Sequence, residues 1–382
     1  MTQTLQALEQ LIGFDTVSEK SNLQIVDFIE DYLKARDFRL TRIGDDSGQK
    51  AGLYAEIGPT EGGIVLSGHT DVVPVTGQAW TRDPFRLTDE GGRVFGRGTT
   101  DMKGYLACML SAADRASNQE LREPLKLIFS YDEEIGCVGI QKMTARLSSL
   151  LGKPRACLVG EPTEMQVAIG HKGKAALKAV CHGQSGHSAL APTFVNALHL
   201  AADFVVELKG IQDWLREYGA RDEAYDIAYS TVHVGKLSGG TALNIVPDRS
   251  ELVFEYRHLA TEPPDGIMDR IREAADRVTD RYREAFSGAS IELDRYNAYP
   301  GIDVPADANV VALGQKLAAT NAVTKVAFGT EAGVFDTLGI PTIVCGPGSM
   351  EGQGHKPDEF ISKDQLEACD RMMDRVLDEI TI

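Results

Sequence analysis

LKLIFSYDEEIG, residues 125–136, begins with a mostly apolar run that is followed by three consecutive acidic residues. The apolar part is short for a helix and predicts a strand that is buried on both faces of a mostly parallel sheet. Ionised carboxylates placed side by side raise one another's pKa, so Asp132, Glu133 and Glu134 require either solvent or a cation beside them. The segment therefore predicts an α/β fold and, at the end of one strand, a candidate cation site.

Three further apolar runs of the same kind are flanked by turn residues. They are GGIVLSG (62–68), ACLVG (156–160) and PTIVCGPG (341–348). Helical patterns such as DMKGYLACMLSAADRA and QKMTARLSSLL lie between the runs. This alternation predicts an α/β domain with a mostly parallel central sheet.

The middle of the chain has a different pattern. Residues 172–296 read as strand, helix, strand, strand, helix and strand, with Pro192 near the start of the first helix. This βαββαβ order is typical of a ferredoxin-like unit. Because α/β patterning resumes near NVVALGQKLAAT, we expect one domain formed by residues 1–171 and 297–382, with residues 172–296 inserted into it.

The composition restricts the possible partners and location. The 382 residues include 39 basic and 56 acidic ones, which gives a net charge of −17 and argues against nucleic acid or an anionic membrane as a partner. No signal peptide is recognisable, and no run approaches the roughly 18 apolar residues of a membrane span. The six cysteines are scattered without a C-x-x-C pair, which favours a reduced, cytoplasmic protein.

Candidate ligands occur where the predicted strands end. The carboxyl ends of parallel strands meet at one edge of a sheet, so residues distant in sequence can gather there. Asp101 follows a glycine-rich turn, GRGTTD, that precedes a helix. Imidazoles with carboxylates, and no thiolate, suit zinc and also cobalt or manganese. The other candidates are His69, Asp71, Glu134, Glu161 and His355.

Each of these signals is weak alone. A histidine at a strand end is more often a polar loop residue, an acidic triplet is usually a solvated turn, and Gly160-Glu161-Pro162 could be only a turn. Cys137 could be a nucleophile, although a buried structural thiol is the simpler interpretation. The chain has no G-x-S-x-G, G-x-x-x-x-G-K-[ST] or H-E-x-x-H motif. The joint pattern of five sites is the specific evidence.

The motifs carry a resemblance to a known family. SGHTDVVP, GRGTTDMKG, YDEEIG, GEPT and GHKPDE, in this order, resemble the M20 family of dinuclear-zinc aminoacylases and peptidases over essentially the whole chain. The resemblance implies a catalytic dinuclear-metal domain of residues 1–171 and 297–382. It also implies that residues 172–296 form a lid and dimerisation domain.

The resemblance implies a role for each ligand. Asp101 would bridge two Zn²⁺ ions per subunit, with Co²⁺ as a possible substitute. His69 and Glu161 would complete one site, and Glu134 and His355 the other.

Two more residues would assist these ligands. Asp71 would orient the imidazole of His69, since residues two apart on a strand share a face. Glu133 would be the general acid and base, pointing away from Glu134 because adjacent strand residues face opposite sides.

Further residues would bind the substrate or reach it from another subunit. His187, in GQSGHSAL, resembles a histidine that enters the site of a neighbouring subunit, which implies a homodimer. Asn244 and Arg257 resemble residues that bind the substrate carboxylate, for which the Arg fork is suited. Thr330, Glu331, Gly348 and Ser349 are weaker pocket candidates.

Within this family, SGHTDVVPVTGQAWTRDPFRL and GRGTTDMKGYLACML resemble the acetylornithine deacetylases. The implied reaction is hydrolysis of N2-acetyl-L-ornithine to acetate and L-ornithine, a step of arginine biosynthesis. A succinyl-diaminopimelate desuccinylase, a broader N-acyl-L-amino acid amidohydrolase and a dipeptidase remain alternatives. A metal-dependent binding protein on an inactive enzyme fold is an alternative of another class.

Overall fold

A computed structural model describes residues 2–382. Eighteen strands occur in this range. In chain order they are β1 (Arg39–Gly44), β2 (Ala51–Ile57), β3 (Ile64–His69), β4 (Thr88–Glu90), β5 (Arg93–Phe95), β6 (Leu125–Ser130), β7 (Ala156–Pro162), β8 (Val167–His171), β9 (Gly173–His182), β10 (Gly186–His187), β11 (Thr231–Gly239), β12 (Ile245–Val246), β13 (Arg249–His258), β14 (Ser290–Tyr299), β15 (Ile302–Asp303), β16 (Val323–Val326), β17 (Thr342–Gly346) and β18 (Phe360–Ser362).

Nine α-helices are found over the same residues, together with a π-type turn at Thr99–Lys103 and a 3₁₀ turn at Ser188–Thr193. The helices are α1 (Gln3–Ile12), α2 (Leu23–Lys34), α3 (Gly104–Ala116), α4 (Val138–Leu151), α5 (Ala197–Tyr218), α6 (Pro264–Arg283), α7 (Asn309–Ala318), α8 (Ala332–Thr337) and α9 (Lys363–Ile380). None of the helices described is long and apolar enough to cross a membrane.

The chain divides into two compact units. The first comprises the described residues up to His171 together with Ile302–Ile382, and the second is Lys172–Gly301. The predicted boundary at residue 296 falls inside β14, because the ladder between β14 and β9 continues to Tyr299, which lies opposite Lys174.

The first unit contains a nine-stranded sheet in the order β1-β2-β6-β3-β7-β17-β8-β15, with β16 also paired to β8. The four adjacent central strands β6, β3, β7 and β17 are mutually parallel. They are the four apolar runs of the sequence, and each is buried along its length. The predicted α/β class with a parallel central sheet is therefore confirmed, while the flanking β1, β2 and β15 pair antiparallel.

One helix of the first unit bears directly on the site. α3 begins immediately after the turn that contains Asp101, and most of its residues are buried. It lies close to β7: a Cβ atom added to Gly160 would be 2.0 Å from the ring of Tyr105. Glycine is needed at position 160 because helix and strand approach so closely there.

The second unit is a four-stranded antiparallel sheet in the order β11-β13-β9-β14. Helices α5 and α6 contribute to its apolar core, in which Phe204 and Phe254 meet edge to face at 5.8 Å. The prediction that a helix begins near Pro192 was wrong. Pro192 lies in the 3₁₀ turn, and α5 begins at Ala197, where the Asn196 side chain accepts the N–H of Leu198 at 2.8 Å.

Candidate metal centre

The candidate residues of the first unit gather at the carboxyl edge of the parallel strands. His69 is the last residue of β3, and Glu161 lies near the end of β7. Glu133 and Glu134 follow β6 in a turn. Gly160-Glu161-Pro162 is therefore part of a buried strand and not merely a turn.

Asp101 lies between two pairs of side chains. Its Oδ1 is 3.1 Å from Nε2 of His69, and that nitrogen is 3.8 Å from Oε1 of Glu161. Its Oδ2 is 3.5 Å from Nε2 of His355, which is 3.1 Å from Oε2 of Glu134. The two oxygens of one carboxylate thus face two different groups of potential ligands.

Ligand atoms that lie within 4.8 Å of one another form two overlapping sets among the described residues. One set is His69, Asp101 and Glu134, and the other is His69, Glu133 and Glu161. His69 occurs in both, Glu133 takes part in one, and the half-exposed His355 is in neither. These sets differ in composition from those that the family resemblance implied, although the same side chains surround Asp101.

The centre holds more negative charge than its histidines balance. Burial raises the pKa of Glu134 to about 7, with the Asp101 carboxylate adding to the increase. Burial also raises the pKa of Glu133 and of Glu161 well above their ordinary values. Oε1 of Glu161 is buried and has no hydrogen-bond partner. A cation at this position would stabilise the ionised carboxylates.

The pKa values of the two histidines are also raised, which for an imidazole favours the charged form. Hydrogen bonds to Asp101 and Glu134 raise the pKa of His355 to about 10. Burial would lower the pKa of His69, but its contacts with Asp101 and Asp71 raise it well above the ordinary value. Both imidazoles therefore occupy places that favour a positive charge.

Asp71 connects His69 to the turn after β6. Its carbonyl oxygen lies 2.9 Å from Nδ1 of His69, and its Oδ1 lies 3.5 Å from the same nitrogen. The carboxylate also accepts the backbone N–H groups of Glu133 at 3.0 Å and Glu134 at 3.2 Å. The hydroxyl of Ser18 donates a further hydrogen bond at 2.7 Å.

The prediction that strand alternation sets the directions of Asp71, Glu133 and Glu134 was wrong. β3 ends at His69 and β6 ends at Ser130, so neither Asp71 nor the two glutamates lie on a strand with alternating faces. The backbone turns at Asp132, whose φ is +54°. This turn and the hydrogen bonds to Asp71 place Glu133 and Glu134.

The other two polar residues of this turn have separate partners. Asp132 pairs with the buried Lys50, whose Nζ lies 2.5 Å from Oδ1. The thiol of Cys137 donates to Oε1 of Glu133 at 3.2 Å. Burial, and then the Glu133 charge, raise the pKa of the Cys137 thiol, which disfavours the thiolate that a nucleophile requires.

Three of the four weaker pocket candidates of the first unit form hydrogen bonds within it. Thr330 is buried, and its hydroxyl accepts the N–H of Ala332 at 3.0 Å. Gly348 adopts φ +93°, and its N–H donates to Gln365 at 3.1 Å. The hydroxyl of Ser349 donates to Glu164 at 2.8 Å. Glu331, fully buried, has a pKa raised by burial to about 7.

The remaining candidates lie in the second unit. His187 is exposed on β10, opposite Ile245 of β12, and its Nδ1 accepts the N–H of Ala189 at 3.1 Å. The carbonyl of the exposed Asn244 accepts the N–H of Ser188. Arg257 lies on β13, and its Nε donates to Glu255 at 2.9 Å.

Sequence reasoning missed a buried ion pair beside the centre. Arg97 donates to Oε2 of Glu359 at 2.7 Å, and both side chains are almost fully buried. Both residues are next to or inside the quoted motifs, in GRGTTD and GHKPDE. The sequence signal for this ion pair was a basic residue near Asp101 and an acidic residue near His355.

Comparisons with known proteins find relatives over nearly the whole chain. Residues 65–379 match the profile of Peptidase family M20/M25/M40. An acetylornithine deacetylase from Myxococcus xanthus is 33% identical over 388 residues, which cover 99% of this chain and 98% of that protein.

Two solved structures share the fold. One is the M20 family metallo-carboxypeptidase Sso-CP2 from Sulfolobus solfataricus, with a TM-score of 0.80, 20% identity and 99% of each chain covered. The other is the Bacillus subtilis YXEP protein, described as a dinuclear metal binding peptidase, with a TM-score of 0.68 and 17% identity. The match covers 99% of this chain and 98% of that one.

Proposed function

This chain belongs to peptidase family M20/M25/M40 and is an amidohydrolase, and on that basis we propose that it holds two zinc ions and removes the acetyl group from N2-acetyl-L-ornithine. The products are L-ornithine and acetate, in a step of arginine biosynthesis. The observation that carries this proposal is the position of Asp101, whose two carboxylate oxygens face separate groups of imidazole and carboxylate ligands.

The residues present fit a pair of cations. Five nitrogen- and oxygen-bearing side chains converge without a thiolate among them, which suits zinc and also accommodates cobalt. The buried Oε1 of Glu161 lacks a hydrogen-bond partner, and burial raises the pKa of Glu134 and Glu161, so a cation beside them would stabilise their ionised forms. The likeness to a protein described as dinuclear metal binding supports two ions per chain. The ligands would be His69, Asp101, Glu134, Glu161 and His355.

The protein's own residues then have separate roles in the reaction. When bound, such cations lower the pKa of a water molecule and polarise a carbonyl group. Glu133, next to the ligands, accepts a proton from the attacking water and returns it to the departing amine. Asp71 positions Glu133 and His69 together, because its carboxylate reaches the Glu133 N–H and the His69 ring. The amide C–N bond breaks as the amine takes up that proton.

The candidate substrate-binding residues are proposed from residue type and from the family resemblance of the segments that contain them. We propose that Asn244 and Arg257 bind the substrate carboxylate and that Thr330, Gly348 and Ser349 are further substrate-binding residues. His187 would stabilise the oxyanion from a second subunit, so the active form would be a homodimer. The six cysteines are buried and unpaired, which supports a reducing, cytoplasmic location.

Metal analysis and a substrate panel test the proposal. We expect two zinc ions per chain in purified protein, loss of amide hydrolysis after chelation, and recovery when zinc is restored. The panel contains N2-acetyl-ornithine, N-acetyl-methionine, succinyl-diaminopimelate and dipeptides.

The outcomes separate the parts of the proposal. Acetyl-ornithine should be among the substrates with the highest kcat/KM. A preference for the succinyl compound or for dipeptides would reject the substrate but keep the amidohydrolase assignment. Full activity in metal-free protein would reject the metal centre.

A further inference from the structure

The carboxylate of Glu359 holds the backbone of the turn that carries Asp101. Its Oε1 accepts the N–H groups of Thr100 at 2.8 Å and Asp101 at 3.1 Å. Its Oε2 accepts the N–H of Gly98 at 3.0 Å. Three backbone donors thus converge on one buried carboxylate, which fixes the position of Asp101 without touching its side chain.

Arg97 links this carboxylate to a second residue. Its Nη1 donates to Oε2 of Glu359 at 2.7 Å, and its Nη2 donates to Oε1 of Gln78 at 2.6 Å. The guanidinium also lies 5.0 Å from the ring of Trp80, whose indole N–H donates to the same Gln78 oxygen. Arg97 is 1% exposed, so its planar fork has little freedom to move.

Gln78 carries the connection to the other side of the centre. Its Nε2 donates to the backbone carbonyl of His355 at 2.9 Å. The His355 side chain is 51% exposed, whereas that of His69 is fully buried. The His355 side chain thus has little packing around it, and the Gln78 hydrogen bond restrains the His355 backbone at its carbonyl.

We infer that Gln78, Arg97 and Glu359 form a positioning relay that sets the distance between Asp101 and His355 and thereby the affinity of one of two cation positions. The inference rests on the proposed two-cation centre. None of the three residues is a ligand. Glu359 acts through the backbone of Asp101 and Gln78 through that of His355, and Arg97 joins these two residues.

If these residues served only to stabilise the fold, replacing them would change stability and not zinc affinity alone. A buried ion pair such as Arg97–Glu359 often contributes little net stability, and removing one partner destabilises the fold. Gln78 is only partly buried, so its loss should leave the fold intact. Replacing Gln78 therefore separates positioning from folding.

Two substitutions interrupt the relay at different bonds. Gln78→Glu retains an acceptor for Arg97 but offers no donor to the His355 carbonyl. Gln78→Met removes the hydrogen bonds with Arg97, Trp80 and His355 without adding charge. The matched control is Gln315→Glu, since Gln315 on α7 donates in the same way to a loop carbonyl, that of Asn321, at 3.0 Å.

The experiment is calorimetric titration of Zn²⁺ into the chelator-treated full chain, with circular dichroism to verify folding. His355→Ala identifies the Zn²⁺-binding step that depends on His355. We expect both Gln78 variants to weaken that step by about tenfold, the scale of residues that orient metal ligands, and to leave the other step within about twofold. Gln315→Glu should match wild type.

Combining the variants makes the test stricter. In the His355→Ala background, Gln78→Met should have no further effect on the remaining step. Equal weakening of both steps, or an unchanged His355-dependent step, would overturn the relay. Fewer than two Zn²⁺ in wild type would overturn the two-cation centre and the relay with it. A failed acetyl-ornithine assay would affect only the substrate assignment.

Discussion

The Oδ1 atom of Asp71 accepts the backbone N–H of Glu133 at 3.0 Å, and the same carboxylate lies beside the ring of His69. One side chain therefore positions both a candidate ligand and the candidate proton carrier. A carboxylate is suited to this place because it accepts several hydrogen bonds and donates none.

We predict that Asp71→Asn lowers both kcat/KM and zinc affinity by about tenfold to a hundredfold. The amide nitrogen of Asn can accept no hydrogen bond, so one of the two backbone N–H groups loses its partner. Metal analysis and steady-state kinetics measure the two effects. Ser18→Ala is the control, because it removes only one donor to this carboxylate and should change both quantities much less. Wild-type values for Asp71→Asn would contradict the assignment.

The two glutamates should differ when each is replaced. Glu133→Gln should retain zinc and lose about 10²–10⁴-fold in kcat, because an amide cannot accept the proton from water. Glu134→Ala should first weaken zinc binding, since its carboxylate lies 3.1 Å from His355 at the candidate ligand group. Zinc content and kcat are measured on the same preparations. If both variants lose zinc to the same extent, the division of roles is wrong.

The sequence predicted those parts of the fold that depend on local burial. The four parallel strands appear as apolar runs because both faces of each are covered, and His69 and Glu161 were found at strand ends for that reason. The antiparallel pairing of β2 with β6 and of β15 with β8 was not predicted, because pairing between distant segments leaves no local signal.

Prediction of the candidate site from the sequence has the same limit. Candidate ligands could be located by their position after the strands, but the contact between Arg97 and Glu359 joins residues 262 positions apart. Likewise, the directions of Glu133 and Glu134 come from a turn and from hydrogen bonds to Asp71, not from strand alternation. Such hydrogen bonds depend on the folded chain and have no periodicity in the sequence.

Cys137 should assist Glu133 without acting as a nucleophile. Its thiol donates to Oε1 of Glu133 at 3.2 Å. Cys137→Ala removes this donor and should lower kcat by about fivefold, the scale of one hydrogen bond, with zinc content unchanged. Cys137→Ser retains a donor and should restore most of the activity. Complete inactivity of Cys137→Ser would instead indicate a role that requires sulfur.

Lys50 should stabilise the fold through Asp132. Its Nζ lies 2.5 Å from the Asp132 carboxylate, and each side chain is 10% exposed. Lys50→Met should destabilise the protein by about 3 kcal/mol, because it leaves a buried carboxylate without its partner. Chemical denaturation measures the loss. Adding Asp132→Asn should recover part of it, whereas purely additive losses would show that the two residues do not interact.

His258 should make the second unit less stable in mild acid. It is buried at the end of β13, and burial lowers its pKa below the ordinary value of 6.5. Below pH 6.5 the unfolded chain therefore binds a proton that the folded chain does not. The stabilising contribution is present above pH 6.5 and is lost as the pH falls through the folded-state pKa.

In thermal denaturation at a series of pH values, His258→Gln should show a smaller fall in midpoint between pH 7 and pH 5 than wild type. The exposed His233→Gln serves as the control and should retain the wild-type slope. Equal slopes for wild type and His258→Gln would reject the assignment, because the buried imidazole would then carry none of the acid sensitivity.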